Sequence, residues 1–299
     1  MKGDSEMNWE NLAEFEFNDA IERSRGVCLI PLGCMEKHGQ HLPVGTDSIK
    51  VQHVLNEAAK IEDVMIFPVT MWLGDVCSYH AVQGEKLEER RMRGGIGISP
   101  ELLYNALTEL CDEIYRNGFD KIVLVNSHGG NLPFLDFFAR TIRQKMKPYV
   151  VMWISGSAGK TGEICAQLTE RREEFGLTDS DMETVERLRI NGTGGGHADF
   201  REVAQVMSFN PALVHEDKYD AESGASTHLM DKYDQLGIHT GFGWGVNYPN
   251  MFNGFPSFGC TKRIGDAIVR LTAERVASVV KVIKEDGEIL DRYKRSVKE

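Results

Sequence analysis

Val27-Cys-Leu-Ile-Pro-Leu32-Gly-Cys-Met-Glu36-Lys-His38-Gly-Gln-His41-Leu-Pro-Val-Gly-Thr-Asp47 decides how this chain is read. Its start, Val27–Leu32, is a continuous apolar run of the length expected for a strand buried on both faces, as in a parallel sheet. Glu36, His38, His41 and Asp47 follow in quick succession. Carboxylates and neutral imidazoles suit Zn²⁺, Mn²⁺ or Fe²⁺, and one carboxylate can bridge two such ions. A buried strand that runs straight into metal-capable side chains points to metal-assisted chemistry, hydrolysis first. The place expected for it is the carboxyl edge of an α/β sheet, where such sheets bind ligands.

Outward from this stretch, similar runs recur at Val64–Val69, Ile122–Val125 and Val150–Ile154, with helical patterns between them. Ser48 to Ile61 reads as a helix with Asp47 as its N-cap. Ser99-Pro-Glu opens another that runs to about Arg116, with Pro100 suited to the first turn. Asn131-Leu-Pro133 opens a third, to about Lys145. Strand and helix in alternation predict an α/β fold whose mostly parallel sheet is covered on both faces. Thr161–Arg189 is charged and predicted helical, standing out from the core. Asn191–Gly196 is a glycine-rich turn, and Gly237–Gly259 a long aromatic loop. Arg263–Lys284 has apolar residues at helical spacing and should pack on the sheet. No repeat or linker divides the chain, so one domain spanning 1–299 is expected.

Composition narrows the function classes. A net charge of −11 argues against phosphate-backbone binding as a main activity. No apolar run reaches the roughly 18 residues of a membrane span. The polar, acidic start, Met1-Lys-Gly-Asp-Ser-Glu, lacks a secretory apolar stretch, so a cytoplasmic location is the expectation. The cysteines are scattered with no C-x-x-C pair, and read as buried free thiols rather than a disulfide frame or thiolate site.

The candidate site residues fall at strand ends and glycine-rich turns. Glu36 and His38, two apart in extended chain, point to one side. His41 leads into a turn and reads as structural. Asn126-Ser-His128-Gly-Gly-Asn131 puts a histidine at a strand tip, with glycines that allow close backbone approach. In Gly194-Gly-Gly-His197-Ala-Asp-Phe-Arg-Glu202, His197 and Glu202 reach one cleft if the histidine precedes a helix and the glutamate lies in its first turns. Asp199 is then the natural N-terminal charge of that helix.

These motifs, in this order, resemble the creatininase (creatinine amidohydrolase) family over nearly the whole chain. The long first motif, Pro31 to Asp47, is the specific one. The resemblance implies a three-layer α/β/α fold, two divalent ions (Zn²⁺, with Mn²⁺ or Fe²⁺ also used) and a homo-oligomer, often a hexamer. It implies Glu36, Asp47 and His128 around one ion and His38 and Asp47 around the other. His197 would be the proton shuttle beside the scissile bond. Creatininases carry a further glutamate two residues after the second-motif histidine, where this chain has Gly130, and Glu202 is the candidate replacement. His80, in Ser78-Tyr-His80-Ala-Val-Gln-Gly, lines the pocket in this reading. The charged stretch Glu85–Arg93 departs from the family pattern there, which puts creatinine itself in doubt. Trp153 and Trp244 are the tryptophans available to stand for the family's lid residues, with Trp244 the candidate substrate contact.

The function expected is hydrolysis of a small non-peptide amide. The alternatives are ring-opening hydrolysis of a cyclic keto-inositol and, motivated by Gly130, a non-catalytic binding protein that kept the fold.

Overall fold

The computed structural model describes residues 7–71, 73–74, 94–191 and 196–298. Helix α1 (Phe17–Ser24) leads into strand β1 (Val27–Leu32), then helix α2 (Thr46–Ile61) and a short β2 (Met65–Ile66). Helix α3 (Pro100–Arg116), strand β3 (Lys121–Asn126), helix α4 (Leu132–Gln144) and strand β4 (Val150–Ser155) follow. The sheet order is β2-β1-β3-β4, and every pairing is parallel.

Side chains alternate across β1 and β3 and build two different layers. Cys28, Ile30, Leu32, Ile122 and Leu124 pack with Leu103, Leu107 and Cys111 of α3 and with Leu135 and Phe138 of α4. Val27, Leu29, Val123 and Val125 face Val51, Val54 and Leu55 of α2 and the long helix α10 (Lys262–Glu285). The result is the three-layer α/β/α arrangement expected from the sequence.

The predicted strand at Val64–Val69 shrinks to two residues, and β1 shows why. Pro31 has no N–H to give to a neighbouring strand. The Leu29 carbonyl accepts from Phe67 N on the β2 side, while the Leu32 carbonyl accepts from Ser127 N on the β3 side. Residues two apart face the same neighbour, so Pro31 also faces the β2 side, beyond the point where β2 ends. A short β2 therefore costs β1 one ladder bond fewer at Pro31 than at a residue that has an N–H.

The second half differs from expectation. Thr161–Arg189 is not one projecting helix but two, α5 (Thr161–Glu170) and α6 (Asp179–Asn191), folded against each other. With α7 (Phe200–Phe209) they form a second core of Ile164, Leu168, Val185, Val203, Val206 and Met207. The predicted loop from Gly237 to Gly259 follows a short α8 (Asp231–Gln235) and contains a helical turn, α9 (Gly243–Asn247). Helix α10 (Lys262–Glu285) joins the two cores. Ile264, Ala267, Ile268 and Leu271 enter the helical one, while Val269, Ala273, Val276 and Val280 lie on the sheet. A last helix, α11 (Ile289–Lys298), follows. Among the described residues, no helix is long and apolar enough to cross a membrane.

Asp181 ties the start of α6 to that of α10. Its buried carboxylate accepts from Thr178 N at 2.9 Å, Thr261 Oγ1 at 2.7 Å and Arg263 Nε at 2.8 Å. Burial opposes ionisation, but these bonds outweigh it and hold the group well below the usual carboxylate range. A depressed folded-state pKa means the contribution is fully present above about pH 4 and fades as pH falls below it. In urea melts, Asp181→Asn should lower stability at neutral pH by about 1–3 kcal/mol. The gap to wild type should narrow as pH drops from about 4 to 3, whereas a pH-independent gap would contradict this role.

Candidate metal centre

The centre lies at the carboxyl ends of β1 and β3. Gly33 lets the exit of β1 run against the first turn of α2, since a Cβ there would sit 2.5 Å from Ser48 N. That approach places Asp47 opposite Glu36. Helix α2 begins at Thr46 with Gly45 at the cap position, so Asp47 is not the N-cap but a first-turn residue. A carboxylate there is favoured by the positive end of the helix. The turn after β3 is tied by the Asn126 side chain, which donates to His128 O at 2.7 Å and accepts from His128 N at 3.2 Å. Asn131 Nδ2 donates to the same Asn126 oxygen at 3.0 Å.

The third segment comes from the helical half. His197 and Asn253 exchange backbone bonds of 3.0 and 2.8 Å. Asp199 caps α7, its side chain accepting from Arg201 N and Glu202 N. Glu202, in the first turn, turns back to accept from Ala198 N at 2.7 Å. His197 before the helix and Glu202 just inside it therefore share one cleft.

The distances describe a single cluster. His128 Nδ1 lies 2.9 Å from Glu36 Oε1 and 3.2 Å from Asp47 Oδ2. His38 Nε2 stands 3.5 Å from both Asp47 Oδ1 and Glu202 Oε2, and 4.0 Å from Glu36 Oε1. His197 Nδ1 is 3.5 Å from Glu36 Oε1. Donors bound at about 2.0–2.1 Å to a tetrahedral ion stand about 3.3 Å apart, so these separations match the edges of a coordination shell. Glu36 Oε1, His38 Nε2 and His128 Nε2 are buried and make no well-aligned hydrogen bond, although His128 Nδ1 stands 2.9 Å from Glu36 Oε1. Buried polar atoms are rarely left without full partners, and a divalent cation among Glu36, Asp47 and His128 would satisfy Glu36 Oε1. Donor chemistry, spacing and incompletely partnered atoms all fit an ion.

Charge explains the same site. Glu36, Asp47 and Glu202 are all buried. Burial pushes each carboxyl up, yet neighbouring cations more than reverse this. His197 and His128 act on Glu36, while Lys50 and His38 act on Asp47 and on Glu202, which falls to about 2. Burial likewise pushes the imidazoles down, but Glu202 and Asp47 raise His38 to about 9, and Glu36 raises His128 to about 10. Without an ion, protons on His38 and His128 supply positive charge that the carboxylates require.

Two participants escaped the sequence reading. Lys50, one turn after Asp47 on α2, donates to Asp47 Oδ1 at 2.6 Å and to Glu202 Oε1. It shares the buried helix face with Val51, Val54 and Ala58, a register that was readable in the sequence. Cys34 donates to Asp47 Oδ2 at 3.2 Å and joins a group that could hold an ion. Burial, then the Asp47 and Glu36 charges, push its thiol far up, so it acts here as a donor rather than a thiolate ligand.

His41 contacts Tyr219 and Phe252 and places Nε2 2.8 Å from Ala198 O, outside the cluster. His80 lies outside the described residues. Trp244 meets the His197 ring edge-on at 5.3 Å and lines the cavity, whereas Trp153 on β4 bonds Asp136. The cavity has a volume of about 870 Å³, with Glu36, Asp47, Lys50, His128, His197 and Glu202 in its wall.

A family model described as creatinine amidohydrolase matches residues 5–280. The chain belongs to the creatininase family. Mycofactocin precursor peptide peptidase from two strains of Mycobacterium tuberculosis is 34% identical over 110 residues. That match covers 35% of this chain and 41% of the relative, so it spans about two-fifths of the relative's length. A solved creatinine amidohydrolase (creatininase) superposes with a TM-score of 0.66 at 17% identity, covering 94% of this chain and 99% of the other. A mutant creatininase of Zn–Zn type gives 0.65 at 16% identity, covering 93% and 98%. A manganese creatininase gives 0.64 at 17%, covering 93% and 99%. At these identities the superpositions show a shared creatininase fold.

An ion bound only by the folded state should stabilise it by about 2.7 kcal/mol at a hundredfold excess over Kd. Stripping the protein with EDTA should therefore lower the melting temperature by several degrees, and Zn²⁺ or Mn²⁺ should restore it. Asp47→Ala should abolish the restoration. Equal metal-induced shifts in variant and wild type would place the ion elsewhere.

Proposed function

We propose that this creatininase-family protein is a metal-dependent amidohydrolase that cleaves a C–N bond. The buried cluster itself carries this reading, since Glu36, Asp47 and His128 bring ligand atoms within 4.8 Å of one another. Glu36, Asp47 and His128 would hold a divalent ion, Zn²⁺ or Mn²⁺ by their hard and borderline donors. The family expectation of a second ion concerns His38, Asp47 and Glu202. A divalent ion bound here lowers the pKa of water to about 7 and polarises a carbonyl.

The chain's own residues do the rest. His197 places Nε2 2.8 Å from the Lys37 carbonyl. An N–H at Nε2 donated to that oxygen leaves Nδ1, facing Glu36 and the cavity, as the atom that takes up and returns a proton. The His38 ring, centred 4.2 Å away, and the Trp244 ring, 5.3 Å away and edge-on, both pack against the imidazole. Trp244 also forms part of the cavity wall, where its ring offers an apolar surface to a substrate. Assembly as a homo-oligomer belongs to the same proposal.

The sequence pointed to a small non-peptide amide. A cavity of about 870 Å³ lies at the upper end of pockets that hold drug-sized ligands, far more than a single small ring fills. This favours an amide carried in a longer chain, and the mycobacterial peptide peptidase supports a peptide over a creatinine-like ring. The reconstituted protein should be tried on short peptides, on small cyclic amides such as creatinine, and on a cyclic keto-inositol. Amine release from a peptide is expected, reduced about 10²–10⁴-fold in His197→Asn. Turnover of the keto-inositol alone would overturn the amide reading, and turnover of creatinine alone would overturn the peptide preference.

A further inference from the structure

A buried ammonium occupies ground that the family pattern would give to a metal ion. Lys50 exposes only 7% of its side chain, and its Nζ bonds the carboxylates of Asp47 and Glu202. The same two carboxylates face His38 Nε2, at 3.5 Å each, and these three residues form one of the groups that could hold an ion. The cation already placed among them is supplied by α2 itself. Asp47 divides its oxygens accordingly, with Oδ2 toward His128 and Oδ1 toward Lys50 and His38.

Position 130 points the same way. Gly130 brings no carboxylate, and it is not a gap waiting for one. A Cβ built there would lie 2.4 Å from His128 Nε2, so the imidazole fills the space that a side chain would enter. The ligand lost at Gly130 thus goes together with a cation gained at Lys50. Electrostatics agrees with the geometry. A second divalent ion would have to sit beside the buried ammonium at the same Asp47 oxygen, where the two cations repel each other.

We propose that Lys50 stands in for the second cation, so that the centre binds one divalent ion, through Glu36, Asp47 and His128. This rests on the metal-centre reading above. In this arrangement Lys50 is a positioning residue that fixes the Asp47 and Glu202 carboxylates without an ion between them.

Ion counting tests the proposal on the full chain, by native mass spectrometry and elemental analysis after titration with Zn²⁺ and, separately, Mn²⁺. Wild type should saturate at about one ion per chain, and Lys50→Met should recruit a second to the freed carboxylates. Glu202→Gln, which keeps the shape of the site, should still bind one. Two ions in wild type would overturn the proposal, and so would a Lys50→Met protein that folds and still saturates at one. If Lys50→Met fails to fold, wild type and Glu202→Gln decide, since a two-ion centre would fall from two ions to one on loss of Glu202. No ion in wild type under any condition would overturn the metal-centre reading itself, a result distinct from two.

Discussion

Three buried carboxylates at one end of a parallel sheet govern this molecule. Removing even one such ion from water costs several kcal/mol unless cations and hydrogen bonds meet it. Glu36, Asp47 and Glu202 come from three separate segments, so their shared need for positive charge draws together the exit of β1, the start of α2 and the start of α7. His38, His128, His197 and Lys50 stand beside them, and the same ligand atoms form the groups that could hold a metal ion.

The fold makes this concentration possible by dividing the labour between two cores. The sheet layers hold β1 and β3 rigidly, so Glu36, His38 and His128 leave from fixed points. The helical core of α5, α6 and α7 presents His197 and Glu202 from the opposite side. Helix α10, packed on both, sets the distance between them. The cavity between the two cores has Glu36, Asp47, Lys50 and Glu202 in its wall together with Trp244.

Much of this was legible in the chain. The run Val27–Leu32 announced a buried parallel strand, and Glu36, His38, Asp47, His128, His197 and Glu202 were each recognisable from their places after strands or turns. The structure brings them into one cluster. What escaped is instructive. Lys50 sits at an i+3 spacing from Asp47 on a helix whose apolar face was plain, but a lone lysine reads as surface until its burial is seen. The short β2 followed from Pro31, whose missing N–H matters only once its neighbour is known. The break between α5 and α6 lies in Arg171–Thr178, where Gly176 at φ 62° and the Thr178–Asp181 cap are the signals, overlooked among the surrounding charges.

Anomalous diffraction at the zinc or manganese edge, from crystals grown with the ion, tests the metal centre most directly. A peak within coordination distance of Glu36 Oε1, Asp47 Oδ2 and His128 Nδ1 is the result this account requires. Ordered protein with no peak among these atoms, or with the ion bound elsewhere on the chain, would contradict it.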